Sequence, residues 1–395
     1  MVAGRNRILF DVTDLVSLML LREHPNGIPR VIARCLAELL DREPEVVPVF
    51  FSRISRAFCR IDGRRLLARD LDYLRRLNPA ARDNLRRARA YMGVLRSSRI
   101  VPGPDDTLLL LGAGWGFPKR HGYLFGARPP ACGVVWFCHD LIPLRHPEFV
   151  MNPGTFGEAF RLWLDAALGR GHRFICASRH VEADLRDYAA SQDVPVDVSV
   201  VPLAHEFKPV AGPMRDSLSG LAARQTVLCV SSIGLRKNQI ALVRAWDRLR
   251  REFGDELPTL VLAGEVIEGA ELEAFLRRTG NVGGTVELLG PVSESELARL
   301  YEFCDFTVFP SLEEGWGLPV GESLWMAKPC LSSGLSSLPE VGGGHVTYFD
   351  PRDEAGMAAA LRRAVQGEFA ALPPPRSRLR TWRQVADGLL AVASR

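Results

Sequence analysis

The chain has 395 residues, of which 47% are hydrophobic and 24% are charged, and its formal net charge is +4. This length is enough for two or three domains, and the composition is ordinary for a globular protein. No run approaches the roughly 18 apolar residues that a membrane-spanning helix needs, and Asp11 lies where a secretory peptide would stay apolar. These features argue against a helical membrane protein and predict a cytoplasmic location.

Eight cysteines are scattered along the chain without a C-x-x-C pair, and several lie inside apolar runs. Zinc sites and disulfide frameworks show more regular spacing. We therefore expect buried thiols in a reducing compartment and no metal site.

Apolar runs typical of strands alternate with helical patterns along the chain. Six runs precede residue 205: RILFDV, EVVPVFF, DTLLLLG, CGVVWFC, RFICAS and VSVVPL. Six follow it: TVLCVSS, PTLVLAG, TVELLG, FTVFPS, KPCLSS and VTYFD. Strands that are apolar throughout are covered on both faces, and alternation with helices indicates parallel sheets. The sequence predicts an α/β fold of two doubly wound, Rossmann-like domains with parallel sheets.

Two proline-rich breaks suggest the domain boundaries. EFKPVAGPM has no periodicity, and ALPPPRSR precedes a last helical pattern, TWRQVADGLLAVASR. We predict domains at 1–205 and 215–372, a linker at 206–214 and a C-terminal helix at 373–395. Ligands of open parallel sheets bind beyond the carboxyl ends of the strands, so the predicted site is a central cleft between the domains.

Two features of the first half follow predicted strands. Gly27, in EHPNGIPRVIARCLAEL, precedes an amphipathic helix, where the backbone amides of Gly27 and Ile28 could meet a phosphate. His139 and Asp140 follow CGVVWFC and are expected at the mouth of the N-terminal sheet. A histidine there donates to a sugar hydroxyl or a phosphate, or it is a satisfied structural histidine. The spacing leaves both interpretations open.

A pair of cations follows the first strand of the second half. In TVLCVSSIGLRKNQIALVRAW, Arg236, Lys237 and Asn238 open a helical pattern. Cations are unfavourable at a helix N-terminus, and an anionic ligand would remove the conflict. Two solvated charges are the alternative. The chain holds 46 arginines but only four lysines, which gives Lys237 more weight.

An acidic, glycine-rich turn follows a later strand, in VFPSLEEGWGLPVGESLWMAKP. We predict a helix that starts near Leu318, with Gly315 and Gly317 allowing a ligand close to the backbone. Glu314 precedes this helix and Glu322 lies about one turn inside it, so both side chains are expected to face the cleft. Helix capping by Glu314 and a solvated position for Glu322 are the alternatives.

Taken together, these motifs resemble the retaining glycosyltransferases of family 4, and within them the Arg-Lys-Asn branch that includes many mannosyltransferases. The resemblance rests on the E-x7-E spacing in EEGWGLPVGESLWMAKPCLSS, on RKN after a strand, and on FCHDLIP, ICASRHVEADL and VTYFDP. It covers nearly the whole chain. It implies the GT-B architecture, a donor held mainly by the C-terminal domain and an acceptor held mainly by the N-terminal domain. It also implies no obligatory metal and a last helix that returns to the N-terminal domain.

The same resemblance implies roles for the two carboxylates and the two cations. Glu314 matches the position that contacts the transferred sugar, and Glu322 matches the one that binds the nucleotide ribose. Lys237 matches the lysine that binds the diphosphate, and Arg236 joins it.

Further residues are matched to the donor site. His139 is expected beside the donor sugar, and Gly27 in the loop facing the diphosphate. Many members carry an arginine where this chain has Ser232, which leaves Arg236 with more of the phosphate charge or lowers activity. The remaining donor contacts that we expect are Gly315, Gly317, Leu318, Ser232 and Asn238.

The leading hypothesis is a metal-independent transferase that moves a hexose, with retention, to a saccharide or lipid-linked acceptor in cell-surface polysaccharide synthesis. GDP-mannose is the first guess for the donor because of the Arg-Lys-Asn branch, and UDP-linked sugars remain open. We expect no cofactor beyond this donor substrate and no nucleic-acid partner.

Other classes fit less well. A catalytically silent sugar-nucleotide-binding scaffold is the alternative that Ser232 favours. A glycoside hydrolase also uses paired carboxylates but needs no phosphate-binding cations. A dinucleotide oxidoreductase would carry G-x-G-x-x-G after its first strand, where this chain has FDVTDLVSLM.

Residues 53–99 hold 14 arginines against four aspartates. Helical patterns there place Leu and Tyr beside Arg, as in basic amphipathic surfaces. Contact with the acceptor or with an anionic membrane, on its inner face, is one hypothesis. A solvated face is the other.

Overall fold

The computed structural model describes residues 6–19, 27–68 and 98–395, apart from positions 41, 44, 53, 209–211, 213, 214, 216, 217 and 219. Most of the arginine-rich segment 53–99, with its predicted membrane or acceptor contact, lies outside the described residues. The chain divides into two compact units, Met1–Pro202 with Trp382–Arg395, and Leu203–Thr381. They are called the first and second unit below.

The first unit is built on a seven-stranded sheet with the order β3-β2-β1-β4-β5-β6-β7. All neighbours in it are parallel except β2 and β3, which are antiparallel. The strands are β1 (Ile8–Asp11), β2 (Val46–Ser52), β3 (Ala57–Arg60), β4 (Thr107–Leu110), β5 (Gly133–Cys138), β6 (Arg173–Cys176) and β7 (Asp197–Val200).

Helices connect the strands of the first unit. The described ones before the C-terminal helix are α1 (Thr13–Met19), α2 (Ile28–Leu39), α3 (Gly63–Leu67), α4 (Pro118–Phe125), α5 (Ile142–Arg145), α6 (Pro153–Gly169) and α7 (Arg179–Ser191). In α2 the apolar residues recur at helical spacing and form the buried face, as expected of a helix on a sheet.

The second unit has a six-stranded parallel sheet with the order β10-β9-β8-β11-β12-β13. Its strands are β8 (Thr226–Val230), β9 (Thr259–Ala263), β10 (Val286–Gly290), β11 (Phe306–Phe309), β12 (Cys330–Ser333) and β13 (Thr347–Phe349). Its described helices are α8 (Gln239–Phe253), α9 (Ala270–Gly284), α10 (Glu294–Phe303), α11 (Leu318–Trp325), α12 (Leu338–Gly342) and α13 (Glu354–Val365).

The last helix, α14 (Trp382–Ala393), belongs to the first unit. It packs against α2, and Arg42 of the first unit forms a 2.5 Å ion pair with Asp387. Arg173 at the start of β6 donates to the carbonyl oxygen of Val392 at 2.8 Å. The chain therefore ends on the unit in which it begins.

Each of the twelve predicted strands is present, and β3 is the strand that the sequence did not predict. AFCR is too short to show a period, and it pairs as an antiparallel edge strand with β2. The prediction of purely parallel sheets is therefore wrong at this one edge. All eight cysteines are free, and all but the half-buried Cys132 are buried. No helix among the described residues is both long and apolar enough to cross a membrane.

Both strand orders reverse direction once, which defines a switch point in each sheet. In the first unit, successive strands run outward from β1 in one direction and from β4 in the other. In the second unit the same reversal falls between β8 and β11. Loops that leave the carboxyl ends of such strand pairs diverge and leave a crevice, where open α/β sheets bind ligands. The switch points are therefore the places to look for a site.

Candidate functional site

Two loops meet at the switch point of the second unit. One covers residues 231–238 after β8, and the other covers 310–317 after β11. The backbone amide of Leu312 donates to the carbonyl oxygen of Arg236 at 2.8 Å, and the Ser311 hydroxyl oxygen lies 3.2 Å from the same carbonyl oxygen. The topology thus brings the predicted cationic and acidic motifs together.

Glu314 is the centre of this junction. Lys237 forms a hydrogen-bonded ion pair with its Oε1, Arg236 lies 2.9 Å from its Oε2, and Ser311 donates to Oε1 at 2.7 Å. Burial alone would raise the pKa of this carboxyl, but the charges of Arg236 and Lys237 and the hydrogen bonds outweigh it and lower the pKa to about 2. We call Arg236, Lys237 and Glu314 the basic cluster. Its formal charge is +1, from two cations and one carboxylate.

The cations precede the helix rather than opening it, which corrects the sequence prediction. Arg236 and Lys237 lie in a short 3-10 turn, Leu235–Lys237, and α8 begins at Gln239. Asn238 lies between this turn and α8 and has a left-handed backbone (φ 59°), which asparagine tolerates. Its side-chain amide donates to the carbonyl oxygen of Pro351 at 2.9 Å. The expected conflict with the helix dipole is thereby reduced, because the side chains are not on the first helical turn.

Gln239 holds the first loop in shape and was missed from the sequence. Its buried side-chain amide donates to Ser231 Oγ at 2.7 Å and to the carbonyl oxygen of Ser232 at 2.8 Å. Ser232, the predicted site residue, therefore lies in a loop whose backbone is fixed from α8. A glutamine at a helix start carries no local signal for this contact.

Ser336 and Ser337, on a third segment, fix the loop 310–317, which is called the acidic loop below. The Ser337 hydroxyl donates to the carbonyl oxygens of Glu314 and Trp316 at 2.8 and 3.0 Å. The backbone amide of Glu314 donates to Ser336 Oγ at 3.0 Å. Glu314 is thus held through its backbone as well as its side chain. Neither serine was predicted, because the segment that carries them is distant in the sequence.

The glycine-rich turn and the following helix lie as the sequence predicts. Gly315 and Gly317 are buried, and α11 begins at Leu318. Gly317 has φ 104°, and a Cβ atom at this position would overlap the side chain of Leu338. A glycine is therefore required at this turn.

Glu322 is buried on α11, with 2% of its surface exposed. Its Oε2 accepts a hydrogen bond from the Tyr301 hydroxyl at 3.1 Å, and Tyr301 lies on α10. The alternative of a solvated helix position is therefore wrong. This hydrogen bond ties Glu322 to α10. It therefore gives no support to the expectation that Glu322 and Glu314 face the same cleft.

Gly27 and His139 belong to the first unit. Gly27 precedes α2 with φ 57°, and its carbonyl oxygen accepts from the amides of Arg30 and Val31. His139 Nε2 donates to the carbonyl oxygen of Leu111 at 2.7 Å, and burial lowers the pKa of its imidazole to about 4. His139 is therefore neutral near pH 7, with this ring nitrogen engaged in a structural hydrogen bond.

The switch point of the first unit holds a second group of charges, which the sequence did not single out. Arg120 is fully buried and lies 2.7 Å from Asp11 Oδ2 and 3.7 Å from Asp14 Oδ2. It also donates to the carbonyl oxygen of Ala113 at 2.8 Å, while the amide of Ala113 donates to Asp14 Oδ1 at 2.9 Å. We call Asp11, Asp14 and Arg120 the acidic cluster. Burial raises the pKa of Asp14 to about 6.

Within the part of the chain that the structure describes, no three His, Cys, Asp or Glu side chains are grouped so that they could hold a metal ion. The basic cluster contains a single carboxylate. Its two cations give it a net positive charge, which suits an anionic ligand.

Comparison with known proteins connects the second unit to a family. Residues 224–367 match the family model described as "Glycosyl transferases group 1". The chain is 29% identical over 265 residues to the serotype-specific mannosyltransferase WbdA of Escherichia coli, covering 64% of this chain and 32% of that protein. It is 28% identical over 166 residues to the O-antigen chain mannosyltransferase B of Escherichia coli, covering 42% of this chain and 40% of that one. The chain thus spans about a third of the length of WbdA.

Solved structures agree with the fold over nearly the full length. A glycosyltransferase from Rickettsia africae has a TM-score of 0.60 at 12% identity and covers 99% of this chain and 98% of its own. HepE from Anabaena, in complex with UDP and glucose, has a TM-score of 0.58 at 15% identity and covers 99% of this chain and 95% of its own. The predicted fold class, two parallel-sheet α/β domains of the GT-B type, is confirmed.

Proposed function

We propose that the protein is a retaining glycosyltransferase that moves a hexose from a nucleotide sugar to a saccharide or lipid-linked acceptor in cell-surface polysaccharide synthesis. The observation that carries this proposal is the basic cluster. Its two cations are partly exposed, 25% for Arg236 and 14% for Lys237, at a switch point where α/β sheets bind ligands. A net positive charge in that position favours a ligand with a diphosphate.

The cations suit the bond that such an enzyme breaks. When the sugar leaves the nucleoside diphosphate, negative charge grows on the leaving phosphate, and fixed cations lower the barrier where that charge develops. Arg236 and Lys237 are held in place before any ligand binds, because Glu314 and the backbone of the acidic loop fix their charged ends. The cluster therefore needs little reorganisation during the reaction.

Glu314 has a second part in this proposal. The positive charge that develops on the anomeric carbon is stabilised by nearby negative charge, and Glu314 stays ionised far below pH 7 because its pKa is about 2. A diphosphate shares the positive charge of Arg236 and Lys237 with Glu314, and the hydrogen bond from Ser311 keeps the carboxylate oriented while it stabilises the sugar. The donor contacts proposed for Ser232, Asn238, Gly315, Gly317 and Leu318 lie in the same two loops or at their ends.

Mannose from GDP-mannose is the proposed donor sugar, supported by the similarity to mannosyltransferases. UDP-linked sugars are the alternative, supported by the complex of HepE with UDP and glucose. The test is incubation with GDP-mannose, UDP-glucose and UDP-N-acetylglucosamine, each with oligosaccharide and lipid-linked acceptors. Product formation and the anomeric configuration of the new bond are followed by NMR, with and without a chelator. Transfer with retention and without metal is expected, and inversion of the anomeric centre would contradict the mechanism.

A silent sugar-nucleotide-binding scaffold is the second candidate, favoured by Ser232 in place of an arginine. In the structure the Ser232 backbone is fixed by Gln239, and Arg236 lies against Glu314, so a cation remains at the loop. Detectable transfer or donor hydrolysis with any of the three donors would exclude this candidate. Donor binding without turnover would support it.

A further inference from the structure

Glu322 has a buried partner outside the basic cluster. Tyr301 has no exposed surface, and its hydroxyl donates to Glu322 Oε2 at 3.1 Å. The same hydroxyl lies 3.5 Å from the carbonyl oxygen of Pro319, in the first turn of α11. Tyr301 therefore connects the carboxylate to the start of the helix that carries it.

The surroundings make this contact rigid. The Tyr301 ring packs edge-on against Phe207, with ring centroids 5.5 Å apart. A buried carboxylate is stable only when it is hydrogen-bonded, so Glu322 gains from keeping this donor. Each oxygen of a carboxylate accepts hydrogen bonds separately, and a bond that fixes Oε2 also fixes the direction of Oε1.

We propose that Tyr301 is a positioning residue for the nucleotide ribose: it holds one oxygen of Glu322 so that the carboxylate meets the ribose hydroxyls in a fixed orientation. This inference rests on the proposed function and on the role that the family resemblance implies for Glu322, binding of the ribose. It predicts that the pair Tyr301–Glu322 discriminates ribonucleotides from deoxyribonucleotides. Tyr301 itself need not touch the ligand.

The test is a calorimetric titration with GDP, UDP and their 2′-deoxy and 3′-deoxy counterparts. Tyr301→Phe keeps the ring and removes only the hydroxyl. We expect it to weaken binding of the preferred ribonucleotide by about 3–10-fold, the worth of one hydrogen bond, with little change for the deoxy counterparts. Steady-state kinetics with the matching donor should show a raised KM and a nearly unchanged kcat.

Two controls separate positioning from general damage. Tyr188→Phe removes a similar tyrosine–carboxylate bond in the first unit, from Tyr188 to Asp165 at 2.7 Å, and should leave the ribose preference unchanged. In a Glu322→Gln background, Tyr301→Phe should add little further loss, because the two residues act as one unit.

The outcomes distinguish the inference from the proposed function. An unchanged ribose preference in folded Tyr301→Phe protein would overturn the positioning role while leaving the transferase proposal intact. Failure of the unaltered protein to bind any nucleoside diphosphate would overturn the proposed function and the inference with it. If Tyr301→Phe protein does not fold, the ribose preference of Glu322→Gln decides: its loss supports the pair and its retention contradicts it.

Discussion

At the switch point of the first unit one arginine forms ion pairs with two carboxylates, whereas at the switch point of the second unit one carboxylate forms ion pairs with two cations. The two sheets reverse at equivalent places in their strand orders, so the same topology presents both groups. The formal charge of the acidic cluster, one arginine with two carboxylates, is −1, and that of the basic cluster, two cations with one carboxylate, is +1. The fold thus provides the position, and the side chains decide what each position does.

The clusters also differ in access to solvent. Arg120 is 0% exposed, and its guanidinium pairs with two buried carboxylates and donates to the backbone of the loop after β4. Arg236 and Lys237 keep part of their surface exposed. The two carboxylates Asp14 and Glu314 are equally buried, at 7% exposed, so their pKa shifts differ because of the neighbouring charges: burial raises the pKa of Asp14 to about 6 beside one arginine, whereas two cations lower that of Glu314 to about 2. The buried acidic cluster therefore has a structural role, whereas the partly exposed cations of the basic cluster can contact a ligand.

The largest expected effect comes from breaking the acidic cluster. Arg120→Met leaves two buried carboxylates without their cation, and such a loss destabilises a protein by about 3–5 kcal/mol. Urea unfolding measures it. The matched control is Arg161→Met, which removes an exposed arginine from its pairs with Glu158 and Asp165 and should change stability by less than about 1 kcal/mol. Equal effects of the two substitutions would show that burial of the acidic cluster does not matter.

Removing the charge of Glu314 tests the basic cluster. Glu314→Gln keeps the shape but not the negative charge, so kcat should fall by about 10²–10³ if the carboxylate stabilises the developing positive charge. The nucleoside diphosphate product should bind more tightly, because both cations lose their internal partner. Glu313→Gln, one residue earlier, is the control and should change little. Near-normal turnover of folded Glu314→Gln protein would refute the catalytic role.

Stability should respond to pH with opposite signs in the two clusters. The pKa of Asp14 rises from 3.8 to about 6 on folding, so its contribution to stability falls as pH increases through that interval. The pKa of Glu314 falls from 4.5 to about 2, so its contribution is present above pH 4.5 and is lost as pH drops towards 2. Each slope is at most about 1.4 kcal/mol per pH unit. Unfolding free energies of Asp14→Asn and Glu314→Gln, measured against the unaltered protein across pH, report the two slopes. Slopes of the same sign would contradict the contrast.

The sequence predicted the strands well, because buried parallel strands are continuous apolar runs that are visible without a partner. It also placed Arg236, Lys237 and Glu314 after strands, where local patterns point to a site. It could not show that Arg120 pairs with Asp11, which lies 109 positions earlier. Contacts of this kind join segments whose proximity is decided by strand order.

The same limit applies within the second unit. Gln239, Ser337 and Tyr301 are ordinary residues of helices or helix starts, and their hydrogen bonds to the loops or to Glu322 appear only once the strands are assembled. Asn238 differs from these residues. Its left-handed backbone ends the turn that holds the two cations, so α8 begins after them, at Gln239. An asparagine directly before a helical pattern is a local signal for this helix start.

The most direct test of the account is whether the basic cluster binds a diphosphate. Calorimetry should compare GDP with GMP, and UDP with UMP, on the unaltered protein, on Lys237→Met and on Lys208→Met, which removes the same charge from a 42% exposed site in the same unit. We predict that the preferred diphosphate binds at least about tenfold more tightly than its monophosphate, as expected for a charge-assisted contact. Lys237→Met should remove most of this advantage, and Lys208→Met should keep it. Equal affinity for mono- and diphosphate, or an advantage that survives in Lys237→Met, would contradict the central claim.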